Sequence, residues 1–194
     1  WDLLCGKVEH GHPLFGYLRS LDIPEENLAF FLEHPCPPDL IGVNYYTTSD
    51  RFLDDRCERY PGVARGGNGR HGYVDVEQVR VAEAGLWGHR AALAAVWARY
   101  QRPVALTEVH LGGDEIERGR WLYEAWIGAR AAAAAGADVR GVTAWAAFGS
   151  FDWDSLVTEE RGSYEPGLFC VASGAPRPTA AAVLAQALLC GDPV

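Results

Sequence analysis

Apolar positions recur with two different periods along the chain. Asp39 to Tyr46 (DLIGVNYY), Pro103 to Glu108 (PVALTE) and Val139 to Trp145 (VRGVTAW) are short runs, apolar nearly throughout. Runs of that length without alternation read as strands covered on both faces. Between Glu83 and Tyr100 the period changes: Leu93, Val96, Trp97 and Tyr100 fall at i, i+3, i+4 and i+7, one face of a helix. A second helix begins at Asp114, whose side chain can accept from the first turn while Glu117, three residues on, closes a reciprocal capping box. Its buried stripe is Leu122, Ala125, Trp126 and Ala129, and Gly136 ends it. Thr179 to Leu189 reads as the last helix, and two short helices, Pro13 to Leu21 and Pro24 to Glu33, open the chain.

Strand and helix thus alternate three times, which predicts an α/β fold with a parallel sheet. Three such units cannot close a barrel of eight strands, so the pattern fits either a small open sheet or the later part of a (β/α)8 barrel whose earlier strands are missing. No repeat or linker divides the sequence, and residues 1–194 read as one domain. Thr47 to Asp75 breaks the pattern. Rich in Arg, Asp and Gly, and containing Gly66-Gly67-Asn68-Gly69, it is expected to be a long loop of functional character. It follows no strand-to-helix turn, so a phosphate cradle is a poor reading of its glycines.

Composition narrows the possible partners. The 194 residues are 48% hydrophobic and 22% charged, a globular balance, and 17 Lys and Arg stand against 26 Asp and Glu for a net charge of −9. An acidic surface repels phosphate, so neither nucleic acid nor an anionic membrane is an expected partner. No apolar stretch approaches the roughly 18 residues that span a bilayer. The five cysteines are irregularly spaced, with no Cys-x-x-Cys pair, which argues against a disulfide framework or zinc site and fits a reducing, cytoplasmic setting. His10 and His12 lack further ligands nearby and read as loop residues. There is no Met, and the sequence opens at Trp1 without a leader pattern, so it reads as trimmed or excised from a longer one.

In β/α barrels the reacting groups gather at the C-terminal ends of the strands. Here those ends are Asn44-Tyr45-Tyr46, Thr107-Glu108, and Trp145 followed by Phe151-Asp152-Trp153. Carboxylates, hydrogen-bonding groups and aromatic faces in one ring are what glycoside hydrolysis uses. The ordered motifs DLIGVNYYT, PVALTE and AWAAFGSFDW resemble the C-terminal half of family 1 glycoside hydrolases, the β-glucosidase-type barrels. More narrowly, TEVHLGG, DWDSL and YEPGLF resemble a divergent branch found fused to a sugar-nucleotide reductase of the dTDP-4-dehydrorhamnose reductase type.

The resemblance implies a retaining β-glycosidase acting on a carbohydrate or glycoside, with no metal or organic cofactor. Glu108 matches the nucleophile, Tyr46 the tyrosine that donates to it, and Asn44 a neighbouring polar residue. Trp145, Asp152 and Trp153 match positions that line the sugar subsite. Each has a plainer alternative: Glu108 as a strand-end carboxylate paired with an Arg, Tyr46 as an aromatic at the barrel mouth, Trp145 as core. Two departures stand out, for Asp152 replaces the usual Glu and His110 the Asn of an Asn-Gly pair. The acid/base residue, borne in the family by an earlier Asn-Glu-Pro motif, is absent, which implies an N-terminal half of the same barrel as partner. Glu165 follows the last strand and reads as a loop residue. Arg118, Arg120 and Arg130 are expected on a solvated helix face, Arg51 and Arg56 in surface salt bridges, and Trp87, Trp97, Trp121 and Trp126 in the core. A noncatalytic carbohydrate or sugar-nucleotide module fused to a reductase is the competing expectation.

Overall fold

The computed structural model describes residues 1–81 and 85–191. Two short helices come first, α1 (Pro13–Arg19) and α2 (Glu25–Glu33). Pro24 stands just outside α2, with Glu25 and Glu26 in its first turn, where acidic groups favour the helix dipole. His12 caps α1, its Nδ1 accepting from Leu14 N at 3.1 Å, while its Nε2 lies 3.1 Å from Asp2. His10 meets Glu25 at 3.2 Å.

Strand β1 (Ile41–Asn44) is followed by an excursion that corrects the expectation of a loop. Its segments β2 (Arg51–Asp54), β3 (Arg65–Gly67) and β4 (Gly72–Glu77) form an antiparallel sheet in the order β2-β4-β3. Val74 and Val76 turn inward and Asp75 outward, the alternation of a strand with one covered face. Asp54 is buried, and Arg56 and Tyr60 donate to its carboxylate at 2.8 to 2.9 Å, Arg56 holding it well below the ordinary carboxylate range. Arg51 meets Asp75 at 2.8 Å, so both loop-opening arginines are in the ion pairs expected of them.

The main sheet then resumes with α3 (Gly88–Tyr100), β5 (Val104–Val109), α4 (Glu115–Ala134) and β6 (Val139–Ala144). The expected start of α3 at Glu83 lies outside the described residues. The sheet has the order β1-β5-β6 with both pairings parallel, Ile41 opposite Val104 and Val104 opposite Val139. Ile41, Leu93, Val104, Leu106 and Ala125 are fully enclosed, and the apolar faces of α3 and α4 cover one side of the sheet. The helices approach closely at Gly128, where a Cβ would lie 3.2 Å from Arg90 N. The capping box forms as expected: Asp114 Oδ1 accepts from Ile116 N and Glu117 N at 2.8 Å, and Glu117 Oε2 accepts from Asp114 N at 3.0 Å.

One phenol closes the base of the excursion. Tyr45 Oη donates to Asp50 Oδ2 and accepts from Gly88 N, both at 2.7 Å, and Trp87 N donates to the same Asp50 oxygen at 2.8 Å. These bonds occupy the first amides of α3, which has no side-chain cap of its own. Trp87, expected in the core, is 63% exposed because it precedes the helix and the helical period does not govern it. Trp121 is buried as expected, stacked at 6.1 Å on Tyr45, with His89 at 4.5 Å. That enclosure pushes His89 down to about 4.

After β6 the chain makes two small antiparallel hairpins, β7 (Ser150–Phe151) with β8 (Tyr164–Glu165) and β9 (Phe169–Cys170) with β10 (Arg177–Pro178). It closes with α5 (Ala180–Cys190). Glu165 is therefore a strand residue of a hairpin, a correction to its reading as loop. No helix of the described residues is long and apolar enough to cross a membrane.

Candidate active site

The parallel register brings the strand ends level. Asn44 is the partner of Glu108, Tyr45 N donates to Glu108 O at 3.3 Å, and Trp145 N donates to Val109 O at 2.9 Å, extending the ladder past the formal ends. All three ends point the same way because both pairings are parallel. Chemistry-bearing residues at the end of each strand thus share one edge of the sheet.

On that edge the Tyr46 hydroxyl donates to Glu108 Oε2, across 62 residues of sequence. A tight turn aims the phenol: Ser49 N donates to Tyr46 O at 3.0 Å, and Tyr46 N donates to Ser49 Oγ at 2.8 Å. Burial, then the hydrogen bond to Glu108 and its charge, raise Tyr46 well above the ordinary phenol range. It therefore stays a protonated donor at any working pH. Asn44 Oδ1 accepts from Thr107 Oγ1 at 2.7 Å, joining the strand ends beside the carboxylate.

The remaining candidates form a second group. Trp145, at the end of β6, and Trp153, in the turn after β7, have ring centroids 5.7 Å apart at an interplanar angle of 42°. The Trp145-Ala146 peptide bond is cis. Asp152 does something the sequence did not signal. It is buried, with φ of 58°, and its Oδ1 accepts from Ser163 N at 2.9 Å while its N donates to Ser163 O at 2.7 Å. That carboxylate oxygen is thereby committed to closing the segment between β7 and β8. Nor is Arg118 a wholly solvated side chain: its Nε is shielded and it donates through Nη1 to Gly113 O, whereas Arg120 and Arg130 are exposed as expected. Among the described residues no group of three or more His, Cys, Asp or Glu is placed to hold a metal ion.

A family 1 β-glucosidase from Thermotoga maritima superposes on the whole of the chain with a TM-score of 0.65 at 15% identity. The β-glucosidase of the same organism in complex with glucoimidazole gives the same score and identity. The fold is that of part of a β-glucosidase barrel. The AHE enzyme from Alicyclobacillus herbarius matches 97% of the chain with a TM-score of 0.61 at 17% identity. The chain spans less than half of these relatives, covering 45%, 44% and 43% of their lengths respectively. Neither a family model nor a curated protein sequence matches it. The three-stranded sheet is accordingly a sector of a (β/α)8 barrel, and the edge bearing Glu108 is its C-terminal face, where such barrels carry their active sites.

Proposed function

We propose that this chain is the later portion of a retaining β-glycosidase of the family 1 type, with Glu108 as nucleophile. The observation that carries the reading is the Tyr46 hydroxyl bonded to Glu108 at the C-terminal edge of the sheet. In the first step a Glu108 oxygen bonds to the anomeric carbon as the glycosidic C–O bond breaks, and the departing oxygen takes a proton from a general acid. In the second, that residue, now a base, removes a proton from water, which attacks the anomeric carbon and frees Glu108. Tyr46 holds the attacking carboxylate, Asn44 supplies a polar group beside it, and Trp145 and Trp153 offer aromatic faces for a pyranose. The acid must stand roughly 5 Å from the nucleophile in a retaining enzyme. We assign it to an N-terminal half of the same barrel, so residues 1–194, folding as one domain with that half, are inactive alone. The reaction needs no metal or organic cofactor, and a cytoplasmic setting accords with the unpaired cysteines.

Full-length protein incubated with an activated 2-fluoroglucoside and then digested should carry the label on the peptide containing Glu108. Label on another carboxylate, in protein that turns over, removes the assignment. A second reading is favoured by Asp152, whose carboxylate is engaged with Ser163 and so less free to grip sugar hydroxyls. It is a noncatalytic carbohydrate or sugar-nucleotide module serving a fused sugar-nucleotide reductase. Saturable sugar binding without turnover or labelling would favour that module.

A further inference from the structure

His110 and Glu165 come from different parts of the chain and meet beside the site. His110 is two residues beyond Glu108. Glu165 is the register partner of Ser150 in the β7–β8 hairpin, whose first strand runs directly into Asp152 and Trp153. His110 Nε2 lies 3.3 Å from Glu165 Oε1, with the side chains 10% and 28% exposed. The ring nitrogen is shielded from solvent and lies off the line of a good hydrogen bond, so the contact is one of close packing. Glu165 is itself closely fitted: a Cβ at Gly112 would lie 2.7 Å from its Oε1. The two cavities beside the pair, both lined by His110 and Trp145, measure about 20 and 10 Å³, room for one water at most. Arg118 lines the larger of them.

Other bonds make the hairpin a single body. Asp152 and Ser163 close its loop end, and Tyr164 Oη accepts from Val171 N at 2.9 Å, tying the hairpin to the segment after β9. A movement of Glu165 is therefore passed to Trp153 with little slack. We propose that His110 and Glu165 are positioning residues, a clasp that ties the end of β5 to the β7–β8 hairpin and so fixes the Trp153 indole relative to Glu108. The pair takes no part in bond making. Its effect on turnover rests on the glycosidase reading; its mechanical role does not.

The test uses full-length protein labelled with 5-fluorotryptophan, the fluorine resonances of Trp145 and Trp153 being assigned with W145F and W153F. His110→Ala and Glu165→Ala should each shift the Trp153 resonance, the double variant should shift it no further, and Glu165→Gln, which keeps the length and shape of the side chain, should shift it less. His110→Gln, closer in volume to the ring, serves where the alanine variant fails to fold. For an aryl glycoside, KM should rise about tenfold in either alanine variant with kcat changed less than about twofold, the pattern of a lost ground-state contact. A Trp153 resonance unmoved by the single variants, or effects that simply add in the double, would overturn the clasp. Shifts as expected in a protein without turnover would leave it standing and remove the glycosidase reading.

Discussion

Strands β5 and β6 are each six residues long and lie side by side, yet their surroundings differ sharply. β5 is paired on both sides, and its Val104 and Leu106 are fully enclosed. β6 is paired on one side only, none of its residues is fully buried, and cavities of about 370 and 190 Å³ open along it beside α4 and α5. Trp126, expected in the core, lines both cavities and is only half-buried for the same reason. The lesson is about place in the sector: β5 receives its cover from strands and helices of this chain, whereas β6 stands at the sector's edge, on the side that a closed barrel covers with its next strand. The nucleophile candidate stands on the strand that is covered on both sides.

The sharpest way to break this comparison is to truncate one apolar side chain on each strand. Leu106→Ala should cost about 3 kcal/mol and Val142→Ala about 1 kcal/mol or less, because only the first leaves a closed cavity. Equal losses in urea titrations would show that the two strands are equally packed. Next in size is the pH response of His89, which packs over the covered side of the sheet. Its folded value lies near 4, below the ordinary 6.5. The unfolded chain therefore binds the proton first, so the stabilising effect of the neutral ring is present above pH 6.5 and is lost as pH falls toward 4. The loss is on the order of 2 to 3 kcal/mol. His89→Phe should flatten the dependence of melting temperature on pH across that window, and an unchanged slope would deny the enclosure. The smallest effect belongs to the strand-end chemistry: Tyr46→Phe should lower kcat/KM of the full-length protein by roughly thirtyfold, about 2 kcal/mol for a hydrogen bond to a charged group. Retained activity would leave the phenol without a role at Glu108.

Much of the fold was legible because its signals are local. The apolar run at PVALTE, the Asp114–Glu117 box and the helical stripe through Leu93 all carry their own periodicity. The antiparallel excursion was not, since Val74-Asp75-Val76-Glu77 is a brief alternation set among Gly, Arg and Asp. The partner strand that completes it, with Phe52 opposite Val76, is distant in sequence. At the candidate site, residue types were readable and directions were not. Glu108 and Tyr46 were named through resemblance, and their contact follows from register. The same resemblance named Asp152 without revealing that one of its oxygens faces Ser163. The His110–Glu165 contact left no signal beyond the departure of His110 from the family pattern.

Finally, the knot of Tyr45, Asp50 and Gly88 has an evolutionary reach. It joins the end of β1, Asp50 and the start of α3 at one phenol and one carboxylate, so the two feet of the excursion are tied together. Whatever hangs from them can lengthen, shrink or be exchanged at small entropic cost. A graft that retains these three anchors would give an engineer a different awning over the same entrance.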